Sequence, residues 1–348
     1  IEVYVITADT DLNETQSYQN IESNKWIEPI ENSNVKVYYC SKDKLNKQKI
    51  VDIINEVKPT HIYLNHLWSY WFVLQPLFIT WRKFKHIKIV LCPRGALFPS
   101  ALHYKNTFLK KKAVMLVLKT LRIHKKIHFH ATTIQEKEVI QQHFGNVEIT
   151  IANNLPDLQQ PSLSFIEKKQ GELKLVFIAR IVDIKNLKLL LQNLLLVRSN
   201  VNVNIAGPTE DEIYWNDCKS IIAKLPANVT TNYVGQITPS QVMPLIQEHH
   251  LYCLPTQGEN FGHSIFEAFM IGRPVLISNK TPWLNLNKNK VGWDVDLTKE
   301  NCLLNEIEEA ASWTQQEFEA YCKGSWRVAS DYISNTNLIA DYNKLFSN

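Results

Sequence analysis

The chain has 348 residues, 45% of them hydrophobic and 21% charged, and a formal net charge of +4. It is too long for one ordinary small domain and apolar enough to fill two cores, so two domains of similar size are expected. The near-balanced charge argues against an extended nucleic-acid surface, and no apolar run reaches the ~18 residues of a bilayer-spanning helix.

The six cysteines, Cys40, Cys92, Cys218, Cys253, Cys302 and Cys322, are scattered and form no C-x-x-C pair. That is the pattern of reduced, buried thiols in a cytoplasmic protein, and it implies no metal site. The start shows no signal-peptide pattern. Ile1 is not Met and runs straight into a strand, so a segment is expected to have been lost or left out before it.

In chain order, residues 2–7 read as a strand, 9–34 as a polar connection, 35–40 as a second strand and 48–57 as a helix stopped by Pro59. A third strand follows at 61–64. Residues 69–84 are aromatic-rich and helical, with an interruption at Pro76, and 87–92 return to a strand. Strands alternating with helices predict a parallel α/β sheet.

From residue 82 to 128 there is no Asp or Glu, while bases are frequent. Within this stretch 108–121 predicts a helix with an apolar body behind the Lys110, Lys111 and Lys112 cluster. A basic amphipathic helix of this kind suits an anionic membrane surface, and equally a solvated face. Residues 127–131 make a further strand, Glu136 begins a helix running to 144, and 147–152 closes the first domain.

The second half repeats the alternation. It has strands at 173–179, 201–206, 251–255 and 273–278, and helices at 186–197, 217–224, 241–249 and 264–271. Residues 232–236 read as a turn and 292–297 as a polar loop. Helices at 303–311 and 315–329 follow, and a last helix at 335–346.

One unit in this half concentrates the chemistry. Between the strand at 251–255 and the helix at 264–271 lies Gln257-Gly-Glu-Asn-Phe-Gly-His263, a polar loop with two glycines opening onto a helix N-terminus. Such a terminus carries unpaired N–H groups and a partial positive charge, which favours phosphate. Glu259 in the loop and Glu267 in the helix's first turn are acceptor-only groups suited to sugar and ribose hydroxyls. A plainer reading stands beside this one, because Ser264-Ile-Phe-Glu267 is a capping box and the glycines can simply make a turn.

The frame E-N-F-G-H-S-I-F-E, continued by A-F-M-I-G-R-P-V-L-I-S, resembles the E-x7-E signature of family 4 retaining glycosyltransferases. That resemblance implies the α/β GT-B fold, two Rossmann-like domains whose parallel sheets face a central cleft. It would place the donor sugar at Glu259, the nucleotide ribose at Glu267, and the diphosphate on the backbone around Asn260, Phe261, Gly262, His263 and Ser264. Arg180-Ile-Val-Asp-Ile-Lys185 is similar to the family's G-R-x-x-x-x-K-G element, whose two cations clamp the diphosphate. Here Ala179 and Asn186 stand at its glycine positions. Asn232-Tyr-Val-Gly-Gln236 resembles the turn near the nucleotide base and makes Gly235 a donor-side candidate.

In the first half, Asn65-His-Leu-Trp-Ser69 and Pro93-Arg-Gly-Ala-Leu97 look like the H-G-L-W-S and P-R-G-M-L segments of one branch of the family, with Leu67 in place of glycine. Both follow predicted strands, where ligands gather in open α/β sheets. Arg94 is a candidate phosphate or acceptor contact, since guanidinium forks bind oxyanions in two places, or else a loop anchor. His66 is an acceptor-side candidate or a packing residue.

The resemblance implies domains at 1–157 and 173–330, with an N-G-like interdomain turn at 153–157, a linker at 158–172, and a helix at 331–348 crossing back to the first domain. By motif register, residues 1–7 match the relatives' second strand, so the first strand and its glycine-rich loop are expected to be missing. The implied activity is transfer of a sugar from a nucleotide-diphosphate donor to a glycan or lipid-linked acceptor, in surface polysaccharide assembly. Lys185, Arg180 and Glu259 carry the catalysis, with no cofactor, metal or nucleic acid, in a protein that is cytoplasmic or peripheral on the membrane's inner face. A nonhydrolysing nucleotide-sugar epimerase and a catalytically silent carbohydrate-binding partner remain as alternatives. A glycoside hydrolase is disfavoured, because it needs two carboxylates flanking the scissile bond and Glu267 is assigned to the ribose.

Overall fold

The structure, a computed structural model, describes residues 2–10, 16–19, 21–29, 34–103, 107–154, 162–335 and 338–347. It divides into two units, Ile1–Asn153 with Ile339–Asn348, and Asn154–Leu338. Most of the expected turn and the start of the expected linker, residues 155–161, lie outside the described residues.

In the first unit β1 (Val3–Ala8) pairs in parallel with β3 (Val35–Cys40), and a short β2 (Trp26–Ile27) pairs antiparallel on the other side of β3. The polar connection therefore contains a strand that the sequence reading missed. At two residues it is too short to show alternation. Helix α1 (Lys47–Val57) starts where the Asn46 side chain accepts a hydrogen bond from the Lys49 N–H, 3.0 Å away. Its Ile53 packs with Tyr38 and Cys40 of β3, while Ile50 and Ile54 pack with Ile87.

Next come β4 (His61–Asn65), a π-helical turn at Tyr70–Leu74, α2 (Gln75–Lys83) and β5 (Lys88–Cys92). Pro76 does not interrupt α2 but sits in its first turn, where a missing N–H costs nothing. After α3 (Pro99–His103) and α4 (Phe108–Thr120) follow β6 (Ile127–Ala131), α5 (Ile134–Phe144) and β7 (Ile149–Ile151). Strands β4, β5, β6 and β7 form a parallel sheet in that order. Helix α5 begins two residues before Glu136, because the Thr133 hydroxyl caps it. Among the described residues β1 and β4 each have one strand partner.

The second unit is one six-stranded parallel sheet, built from β8 (Glu172–Ile178), α6 (Leu187–Leu194), β9 (Asn200–Ala206), α7 (Glu212–Ile222), β10 (Val229–Gly235), α8 (Pro239–Gln247), β11 (Leu251–Leu254), α9 (His263–Met270), β12 (Val275–Ser278) and β13 (Gly292–Val295). The order β10-β9-β8-β11-β12-β13 reverses direction of growth between β8 and β11. Crevices at such a switch, beyond the carboxyl ends of the strands, are where open α/β sheets take ligands. Strands β11 and β12 are fully buried and, up to the buried Ser278 that ends β12, carry an unbroken hydrophobic run, as parallel strands covered on both faces do.

Three expectations are corrected here. Residues 232–235 belong to β10, an edge strand whose Thr and Asn side chains face water and hide the strand pattern. Residues 292–295 are β13, the opposite edge, not a polar loop. Helix α7 starts at Glu212, capped by the Asp211 carboxylate on the Tyr214 N–H at 3.0 Å, five residues before the predicted start.

Helices α10 (Leu304–Ser312) and α11 (Gln315–Asn335) complete this unit, and α12 (Leu338–Phe346) follows. From Ile339 onward α12 belongs to the first unit, where Leu345 is buried with Val90 and Ala152.

Candidate active site

Backbone and side-chain bonds stitch the carboxyl ends of β8, β9, β10 and β11 together, so the loops leaving them form one surface of the second unit. The Gly207 N–H donates to the Gly235 carbonyl at 2.8 Å and the Ile181 N–H to the Pro208 carbonyl at 2.8 Å. Gly207 is obligatory, since a Cβ there would lie 1.9 Å from the Ala179 oxygen. This is how Gly235 comes to the same edge as Arg180.

Arg180 and Lys185 leave the end of β8 by a short path. A 3-10 turn at Asp183–Lys185 ends at Asn186, which takes φ +63° as it opens α6. Asn tolerates this left-handed conformation best among residues with a side chain, so the loop closes without the glycine of the related motif. The Ile184 carbonyl then accepts bonds from the Gln257 N–H, 2.8 Å, and the Thr256 hydroxyl, 3.1 Å. The Glu259 N–H reaches the Lys280 carbonyl at 3.0 Å. The cation-bearing turn and the 257–263 loop are thus one construction.

Within it Lys185 and Glu259 form an ion pair whose side chains are only 16% and 18% exposed. Arg180 is paired through Nη1 to Glu210 at 2.8 Å, a more open pair with the guanidinium side chain 48% exposed. Glu210 was not singled out from the sequence. The available signal was an acid in the loop after a parallel strand, close behind Gly207-Pro208.

Helix α9 opens at Gly262, which has φ +78° and provides no side-chain cap. A Cβ at this position would approach the Ile265 side chain to 2.7 Å. The capping box is therefore not formed: the helix starts before Ser264, and Glu267 falls in its second turn, not its first. Ser264 instead turns its hydroxyl to Tyr252, 2.7 Å away, and the Tyr252 hydroxyl donates to the Ile178 carbonyl at 3.1 Å. Tyr252 is fully buried, and loss of solvation pushes its phenol pKa far up, so it stays a neutral brace between β8, β11 and α9. With the hydroxyl so engaged, Ser264 offers a ligand its N–H.

The Phe261 side chain is buried against Phe266, Trp283 and Tyr332, leaving only its backbone for a ligand. His263 is exposed, and Asn260 and Glu267 are half-buried. Glu259 stands in the loop before α9 and Glu267 on α9 itself. All the donor-side candidates, Arg180, Lys185, Gly235, Glu259, Asn260, Phe261, Gly262, His263, Ser264 and Glu267, thus lie at the carboxyl edge of one sheet.

The acceptor-side candidates lie in the first unit. The His66 N–H donates to the Cys92 carbonyl at 2.9 Å, joining the loops after β4 and β5. Arg94 donates from Nε to the Asn65 side chain at 2.9 Å and from Nη2 to the Tyr63 hydroxyl at 3.4 Å. Tyr63 bonds His130 Nδ1 at 2.8 Å, and His130 Nε2 bonds the Ala152 carbonyl at 2.7 Å. A carbonyl only accepts, so the ring carries its proton on Nε2 and the phenol donates to Nδ1. Burial lowers the His130 pKa to about 4. Leu67, at the related branch's glycine position, is fully buried in this unit's core.

Among the described residues no three His, Cys, Asp or Glu side chains converge as a metal site would require, and no helix is long and apolar enough to cross a membrane.

The fold is that of the GT-B glycosyltransferases. HepE of Anabaena, solved with UDP and glucose, superposes with a TM-score of 0.66 at 14% identity, over 90% of this chain and 84% of that one. Sucrose-phosphate synthase of Thermosynechococcus elongatus gives 0.67 at 14% identity over 99% and 89%. WaaG, a glycosyltransferase of lipopolysaccharide biosynthesis, gives 0.61 at 12% over 91% and 88%. Residues 159–314 match the glycosyl transferases group 1 family. No curated protein matches the chain in sequence.

Proposed function

We propose that the protein transfers a glycosyl group, with retention, from a nucleoside-diphosphate sugar to a glycan or lipid-linked acceptor in surface polysaccharide assembly. The observation that carries this reading is the joining of Lys185, Arg180 and the uncapped N-terminus of α9 on one sheet edge. Cleaving a sugar–phosphate bond builds negative charge on the departing diphosphate. Prepositioned cations and N–H dipoles lower that barrier without reorganising. Lys185 is held by Glu259 and Arg180 by Glu210, so each cation is prepositioned. Glu259 is then beside both the diphosphate and the sugar. Glu267 serves the ribose hydroxyls. The reading calls for no metal. HepE was solved with UDP-glucose, which favours a nucleotide-sugar donor here.

A thermal-shift panel of nucleoside diphosphates tests it first, because a ligand bound only by the folded form raises the melting temperature. One member is expected to stabilise the protein. Incubation with the matching sugar donor and a surrogate acceptor then yields a transfer product. Epimerised donor, or binding with no chemistry, would replace this reading with an epimerase or a carbohydrate-binding protein.

The first unit supports the membrane part of the proposal. On α4, Leu109, Leu116 and Val117 are exposed, as is Leu121 just beyond it, with Lys110, Lys112, Lys119 and Arg122 exposed around them. An outward apolar stripe bordered by cations fits the headgroup region of an anionic bilayer. Flotation with anionic liposomes is expected at low salt, and not with neutral ones. Absence of flotation in both removes the membrane from the proposal.

A further inference from the structure

We propose that Trp283 is a positioning residue for the diphosphate seat, acting through the Phe261–Gly262 peptide; the inference rests on the donor reading above. Trp283 lies in the loop after β12. Its indole Nε1–H donates to the Phe261 carbonyl at 2.6 Å. The ring is wedged among Phe261, Phe266, Phe269 and Tyr332, with centroids 5.3 to 5.7 Å apart. Its own backbone is clasped by Thr281, whose hydroxyl oxygen accepts the Trp283 N–H at 3.2 Å.

A trans peptide is planar, and its C=O and N–H point in opposite directions. Fixing the Phe261 oxygen toward the aromatic cluster therefore turns the Gly262 N–H away from it, on the side where α9 presents its uncapped first turn. The need for such a bond follows from Gly262 itself. Its φ of +78° demands glycine, but glycine visits both signs of φ readily, so nothing intrinsic to residue 262 stops the preceding peptide from rotating. The rotated form would face an entering diphosphate with a carbonyl oxygen instead of an N–H. The indole selects the binding form. Packing alone cannot, since an apolar ring does not distinguish the two ends of a peptide dipole.

The test compares a nucleoside diphosphate with its own nucleoside. The panel above identifies the diphosphate that wild-type protein binds, and calorimetry then gives affinities of wild type and Trp283→Phe for the diphosphate and for the nucleoside. Loss of one oriented hydrogen bond is expected to weaken diphosphate binding about tenfold or more, with nucleoside binding unchanged. Replacement of Trp283 by benzothienylalanine, which keeps the bicyclic shape and lacks the N–H, is expected to reproduce the selective loss, and it keeps the test valid should the phenylalanine variant fold poorly. Equal weakening of both ligands, or of neither, overturns the proposal and leaves Trp283 a packing residue. If the wild type binds no nucleoside diphosphate, the donor reading fails and takes this inference with it.

Discussion

Two loops of similar setting, one in each unit, have been finished differently. Each leaves a buried parallel strand, contains a glycine at positive φ, and precedes a helix. In the first unit, at residues 93–97, the Gly95 N–H is taken by Glu136, whose Oε1 lies 2.6 Å away, and the other carboxylate oxygen accepts from the Thr132 N–H and hydroxyl. Glu136 is 1% exposed. In the second unit, at residues 257–263, the corresponding acid, Glu259, turns to Lys185 and leaves the first turn of α9 without a side-chain cap. A loop whose amides are satisfied from within is scaffolding. In the second loop no side chain caps the helix that follows, and the difference lies in where one carboxylate points.

The sharpest attack on this contrast is Lys185→Ala. If the second loop is the chemical one, turnover should fall by about 10² to 10³, the scale of losing one prepositioned group at the developing charge, while nucleoside-diphosphate affinity falls far less. Steady-state kinetics with separate calorimetry decides. Next, Glu136→Gln is expected to destabilise by about 1–3 kcal/mol, the cost of mismatching a buried hydrogen-bonded carboxylate, read as a shift in denaturant midpoint. Nucleoside-diphosphate binding should stay intact. Gly262→Ala should do the reverse, abolishing diphosphate binding for about 1–2 kcal/mol of strain.

A separate effect concerns a feature the units share. His130 in the first and His250 in the second each accept a hydrogen bond at Nδ1, from the Tyr63 hydroxyl and the Lys174 N–H, and each donates from Nε2 to a carbonyl. Burial lowers both from the ordinary 6.5 to about 4. The unfolded chain therefore binds more protons between these values, and stability should be fully present above pH 6.5 and decline as pH falls toward 4. Unfolding curves across that range check it, and His250→Gln should flatten the decline.

The sequence was most readable where burial enforces a period. The apolar runs of β8, β11 and β12 and the stripe of α9 show plainly, because both faces of these strands and one face of the helix are covered. It was least readable at the sheet's edges: β10 is written in Thr and Asn, and β13 opens with a glycine forced by Val275, whose oxygen a Cβ would meet at 1.8 Å. At the site, Arg180, Lys185 and the 259–267 frame stood out through spacing. Glu210, Glu136 and Trp283 did not, since each acts on a residue far away in sequence. Ser264-Ile-Phe-Glu267 satisfied a capping pattern that Gly262 pre-empted.

The passage of α12 into the first unit bears on how the protein is made. Leu345 completes a cluster with Val90 and Ala152, and Tyr342 packs edge-on to His130. These residues are translated only after the whole second unit. During synthesis the N-terminal half must wait on the ribosome with that cluster unfinished, whereas the second unit holds every piece of its own core as soon as α11 emerges. Nascent chains stalled beyond residue 335 should thus acquire protease resistance in the later-made half first.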